Sequence, residues 1–132
     1  MNALVALAWD AHVHHVAIHR WFADAPDRSW ATCPITEAGF VRVSSNPRAL
    51  EGAVTPETAR AVLAGARSAG GHRFLANDVS MTDPDLPALA GHRQVTDAVL
   101  VTLARRHGVR VVTFDAGLAA LARADEVELL RV

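Results

Sequence analysis

The 132-residue chain carries a formal charge of −1, is 51% hydrophobic and has one cysteine, Cys33. Its length fits one domain with a real core and not two, and no apolar run approaches the roughly 18 residues of a membrane span. A lone cysteine excludes an intrachain disulfide, and the near-neutral balance excludes a strong overall pull toward nucleic acid, though not a local basic groove. With no basic leader and cleavage site in view, a reducing cytoplasm is the expected location. All 13 cationic residues are arginines, which points to GC-rich coding and also suits bidentate phosphate binding.

Taken in order, Ala3 to Ala8 is an apolar run of buried-strand length that starts almost at the first residue. Asp10 to Ala25 reads as a helix, with Val13, Ala17 and Trp21 on one side and Val16, Ile18 and Phe22 widening its apolar stripe. Pro26 and Asp27 end it. Ser29 to Thr32 is a short strand candidate, and Pro34 suits the first turn of a helix through about Val43, with Glu37 near its positive end. Ser44 to Val54 reads as a loop turning at Asn46-Pro47. Thr55-Pro56-Glu57 supplies a cap, a first-turn proline and an early acid for a helix to about Ser68. Gly70-Gly71 stops that helix before a strand, Arg73 to Ala76. A polar Asp- and Pro-rich stretch follows, with one helical turn expected near Leu86 to Leu89; its Asp78, Asp83 and Asp85 read as solvated.

The most informative stretch is Gly91 to Gly117. An almost wholly apolar helix, Val95 to His107, stops at Gly108 and gives way to a β-branched strand, Val109 to Phe114. Asp97 opens the helix and Asp115 closes the strand. A parallel connection folds the helix back along the strand, so both acids arrive at one end of the sheet, where open α/β sheets place their sites. A helix from Ala116 to about Ala124 and a strand, Val127 to Leu130, complete the chain. This alternation predicts an α/β protein with a central, mainly parallel sheet covered on both faces.

Glu37, Asp97 and Asp115 all fall at strand-to-helix junctions. Taken singly, each is explained as a capping or first-turn acid. Together they predict a shared site. Acids packed together repel unless a cation joins them, and oxygen-only ligands favour Mg²⁺ or Mn²⁺ over Zn²⁺. That chemistry suits phosphodiester cleavage.

Four motifs in series carry a family resemblance: T-E-A-G-F-V-R-V (Thr36 to Val43), S-N-P-R (Ser45 to Arg48), V-T-D-A-V-L-V-T-L-A (Val95 to Ala104) and V-T-F-D-A-G-L (Val112 to Leu118). They resemble the PIN-domain ribonucleases, specifically the VapC-type toxins of bacterial toxin–antitoxin pairs, and the likeness spans nearly the whole chain. The resemblance implies a single three-layer αβα PIN-like domain over residues 1–132. It implies magnesium-dependent cleavage of RNA, a cognate antitoxin covering the site, a homodimer, and Glu37, Asp97 and Asp115 as metal-binding acids. Thr113 matches a hydroxyl residue often found beside the last of them. The family's first acid lies in a D-x-N motif whose asparagine is Asn2 here, which places that aspartate one position before Met1. The expectation is therefore a first strand truncated at the N-terminus and a true start several codons upstream. Taken as it stands, the chain is expected to bind metal poorly, and the alternative is a non-catalytic PIN-like module that binds an antitoxin or nucleic acid.

Three further readings complete the picture. His12, His15 and His19 have the spacing of a zinc pair but no Cys or acid to complete it, so packed or solvated helix histidines are expected. Arg42, Arg48 and Arg93 flank the predicted site and are phosphate-grip candidates. Trp9, Trp21, Trp30, Phe22 and Phe40 read as core or as an apolar groove for a partner helix, and Cys33 as a small buried residue.

Overall fold

Helix α1, Asn2–Ala8, occupies the run expected to be the first strand. The computed structural model describes residues 2–24 and 29–131, so the predicted helix end at Ala25 and the Pro26-Asp27 stop lie outside the described residues. The correction at α1 has a plain cause. Ala and Leu are strong helix formers, and a six-residue apolar run has no period that separates a buried strand from a buried helix. Leu4, Val5, Ala8 and Trp9 recur at helical spacing and face one cluster, whose buried members are Val5, Phe40, Ala59 and Leu63.

The chain divides into two compact units, residues 2–76 and 77–131. In the first unit, α1 is followed by α2 (His15–Asp24), β1 (Trp30–Thr32), α3 (Pro34–Ser44), α4 (Pro56–Ser68) and β2 (His72–Phe74). Helix α2 begins later than its pattern suggests. Residues 11–14 form turns, Val13 and Val16 are 81% and 68% exposed, and Ile18, at 3%, is the residue α2 buries. The imidazoles of His15 and His19 instead hydrogen-bond the carbonyls of Ala6 and Leu7, at 2.7 and 2.9 Å. They satisfy acceptors that the end of α1 leaves open, so two of the three spaced histidines have a structural task.

Helix α3 starts where Pro34 fits and where the Cys33 N–H donates to Thr36 Oγ1 at 2.9 Å. Its Phe40 is buried and stacks in parallel with Trp9, whose indole N–H donates to the fully buried Ser44 hydroxyl at 2.8 Å. Thr55 caps α4 by accepting from the Thr58 N–H, as its sequence predicts. Gly70 and Gly71 both have positive φ, 101° and 75°, which turns the chain from α4 directly into β2. Strand β2 pairs in parallel with β1, Trp30 opposite His72 and Thr32 opposite Phe74.

The second unit opens with a stretch, residues 77–91, that lacks the helical turn expected near Leu86 to Leu89. Two consecutive arginines of helix α5 (Val95–Arg106) organise it instead. Arg106 pairs with Asp83, whose side chain is only 7% exposed, and Arg105 donates to the Asp85 carbonyl at 3.1 Å. Asp83 is therefore an anchored residue and not a solvated one. Arg105 also grips Glu126, just before strand β4 (Val127–Leu129), which pairs in parallel with β3 (Val111–Thr113). Helix α6, Ala116–Ala119, ends earlier than expected. Its last bonds tighten to three-residue spacing at Leu121 and Ala122, and Glu126 then accepts from the Arg123 N–H.

The fold is thus a mixed helix–strand fold with parallel strands, as predicted. Among the described residues the strands form two separate two-stranded ladders, one in each unit. No helix there is long and apolar enough to cross a membrane.

Candidate active site

Asp97 lies in the first turn of α5, the most deeply buried helix of the second unit: Ala98, Val99, Val101, Thr102, Leu103 and Ala104 are all buried. A short 3-10 turn, His92–Gln94, leads into it, with Gln94 Oε1 accepting from the Ala90 N–H at 2.8 Å. Seating this helix in the core draws its first-turn carboxyl partly out of water. Asp115 sits at the end of β3 as the N-cap of α6, and its Oδ1 accepts from the Gly117 N–H at 2.8 Å. Its own N–H donates to the hydroxyl of buried Thr113 at 3.0 Å, which fixes the strand-to-helix corner. A Cβ at Gly117 would lie 3.1 Å from Asp115 Oδ1, a tight contact to which the carboxylate would have to yield.

The two acids act on each other. Burial raises the Asp97 carboxyl above its ordinary range, and the charge of Asp115 raises it further. Both effects disfavour ionised Asp97, and both are relieved by a cation. Two carboxylates are also the usual protein contribution to Mg²⁺, which keeps several waters and takes further oxygens from substrate phosphates.

Glu37 belongs to the first unit, in the first turn of α3, and its surroundings differ. Its Oε2 accepts from Thr32 Oγ1 at 2.5 Å, and Arg67 Nη1 donates to both carboxylate oxygens at 3.2 and 3.3 Å. Thr32 spends its single hydroxyl proton on Glu37, so at 2.7 Å from His72 Nε2 it must accept from that nitrogen. Burial lowers the His72 pKa, Arg67 lowers it further and Glu37 opposes them, which favours the neutral ring. Thr32, Arg67 and His72 escaped the sequence reading. Arg67 is 30 positions from Glu37 and belongs to another helix, and no motif links the two.

Arg42, Arg48 and Arg93, the predicted phosphate-grip candidates, are all exposed. Among the described residues, no three His, Cys, Asp or Glu side chains are grouped so that they could hold a metal ion. What the second unit does bring together is the like-charged pair, Asp97 and Asp115.

A family model described as the PIN domain matches residues 2–124. The chain belongs to the PIN-domain family. Within it the chain is VapC-type, being similar over its whole length to Mycobacterium tuberculosis proteins of that name. It is 58% identical over 135 residues to ribonuclease VapC38, covering 100% of this chain and 96% of that protein. With ribonuclease VapC39 it shares 48% over 133 residues, covering 98% and 96%, and with ribonuclease VapC29 37% over 120 residues, covering 91% and 86%.

Proposed function

We propose that this PIN-domain chain is an endoribonuclease, the toxin of a toxin–antitoxin pair, that cleaves RNA phosphodiester bonds with Mg²⁺ or Mn²⁺ held by Asp97 and Asp115. The observation that carries the reading is the pair itself: Asp97, partly buried and with its charge further disfavoured by Asp115, on a chain 58% identical to a protein named ribonuclease VapC38. When bound, the ion supplies charge that polarises a phosphate and lowers the pKa of water. The Gly117 N–H holds the Asp115 carboxylate and the Thr113 hydroxyl holds its backbone N–H, so the carboxylate needs little reorganisation to act. Asp97, seated on the rigid first turn of a buried helix, supplies the second oxygen donor. The family resemblance assigns Glu37 to the same ligand set, with Thr32 and Arg67 fixing the orientation of its carboxylate. A cognate antitoxin and a homodimeric state belong to the same reading.

The test is a labelled RNA pool incubated with the chain or its Asp97→Asn variant, in Mg²⁺ or in chelator. Magnesium-dependent cleavage that Asp97→Asn abolishes is expected. Inactivity of the wild-type chain in Mg²⁺ would overturn the enzyme and leave a PIN-like module that binds antitoxin or nucleic acid.

A further inference from the structure

A closed ring of side chains surrounds Glu37 in the first unit. Trp30 meets His72 edge-to-face, with centroids 4.6 Å apart, His72 bonds Thr32, Thr32 bonds Glu37, and Glu37 pairs with Arg67. The Arg67 guanidinium then lies over the ring of Phe74, 5.0 Å from its centroid, and Phe74 shares β2 with His72. The ladder register sets Trp30 opposite His72 and Thr32 opposite Phe74, and residues two apart share a face, so all four point the same way.

Phe74 is 45% exposed, which is unusual for a phenylalanine bracketed by a structured strand and a guanidinium. Beside it, between α3 and α4, lies a cleft of about 320 Å³, lined by Glu37, Val41, Arg60, Leu63 and Arg67 among others. Arg60 and Arg67 are two helical turns apart on α4 and thus on one side of it. One guanidinium, Arg67, lies over the 45%-exposed Phe74 ring, and an exposed aromatic ring with a planar cation beside it is the complement of a base with its phosphate.

We propose that Phe74 and Arg67 form a subsite for one unpaired nucleotide of an RNA, the base stacking on Phe74 and the adjoining phosphate taken by Arg67, with Arg60 further along the same helix. This rests on the reading of the chain as a ribonuclease and adds where its substrate is gripped. Both Arg67 contacts to Glu37 are made by Nη1, and a guanidinium carries five donors. One arginine can therefore hold the carboxylate and a phosphate together. Single strands are the expected ligand, because a base must leave its stack to reach an aromatic platform.

The experiment is fluorescence anisotropy of a labelled eight-nucleotide oligouridylate titrated with the full chain in chelator, so that binding is read without cleavage. Phe74→Ala should weaken binding by about 5-fold or more, while Phe74→Trp restores or tightens it. Arg67→Ala should weaken binding and lower the salt dependence by somewhat under one unit of log–log slope. A duplex of the same length should compete poorly. Melting temperatures of each variant confirm folding. Failure of the wild-type chain to bind, or Phe74→Ala binding within twofold of it, overturns the subsite and leaves this face to a protein partner. Cleavage is scored separately. Phe74-dependent binding without magnesium-dependent cleavage overturns the nuclease reading alone, and cleavage with Phe74-independent binding overturns the subsite alone.

Discussion

The acids of the two units are alike in sequence and opposite in circumstance. Glu37 sits on a first helical turn with a hydroxyl and a guanidinium already on it, a neutralised group in a ring of partners. Asp97 also sits on a first helical turn, but burial and a second carboxylate both press against its charge. The same residue class at the same helix position has a hydroxyl and a guanidinium beside it in one place and a second carboxylate in the other. Position at a strand-to-helix junction therefore does not reveal how an acid's charge is accommodated; its neighbours do.

The sharpest way to break this contrast is to remove one charge of the pair. Asp97→Asn or Asp115→Asn should lower magnesium-dependent cleavage by at least about 100-fold, since even outer-sphere partners of a metal cost 10- to 100-fold. Initial rates on a labelled RNA measure this. Arg67→Ala, which leaves Glu37 with Thr32 but without its cation, should cost the fold no more than about 1 kcal/mol, because Arg67 is 39% exposed and the pair is screened.

Next in size is the clamp that holds the second unit in shape. Arg105→Ala breaks the pair with Glu126, whose side chain is 12% exposed, and should destabilise the protein by about 1–3 kcal/mol in urea unfolding. The hydrogen bond from Arg105 holds the Glu126 carboxyl below its ordinary range, with the backbone N–H of Arg123 helping against burial. A depressed acid contributes stability above its unfolded pKa, and that contribution is lost as pH falls through the folded one. The Arg105→Ala difference should therefore shrink at acid pH.

Asp97 has the reverse sign. Its raised carboxyl opposes folding at neutral pH, and that opposition fades as pH falls through the folded value toward the ordinary range near 4. In chelator, the melting temperature of Asp97→Asn relative to wild type should rise between pH 4 and pH 7, by about 1–2 °C. A flat difference would mean that burial and Asp115 do not press on the Asp97 charge. The smallest effect is expected from Gly117→Ala, whose Cβ would crowd Asp115 Oδ1. It should cut cleavage a few-fold with little change in melting.

Much of this was legible in the sequence. Thr55-Pro56 and Pro34 announce their helices locally, and the Gly91 to Gly117 unit gives both its acids and their common end from topology alone. What was not legible depended on long-range context. Ala3 to Ala8 is apolar on every side, so its period decides nothing, and its Ala and Leu content together with packing against Phe40, Ala59 and Leu63 makes it a helix. Val13 and Val16 fit a buried stripe yet lie in water, because the chain turns before α2 and the histidines reach back to α1. Asp83 looked like a loop acid until Arg106 met it. The partners of Glu37 come from β1, β2 and α4, and no spacing along one segment encodes that meeting.

Paramagnetic broadening by Mn²⁺ in amide NMR spectra tests the cation pair most directly, because it registers even weak binding. The account predicts that broadening centres on Thr96 to Ala98 and Asp115 to Gly117, and that Asp97→Asn removes it. Broadening centred on the histidines of residues 12–19, or a pattern unchanged in Asp97→Asn, would contradict it.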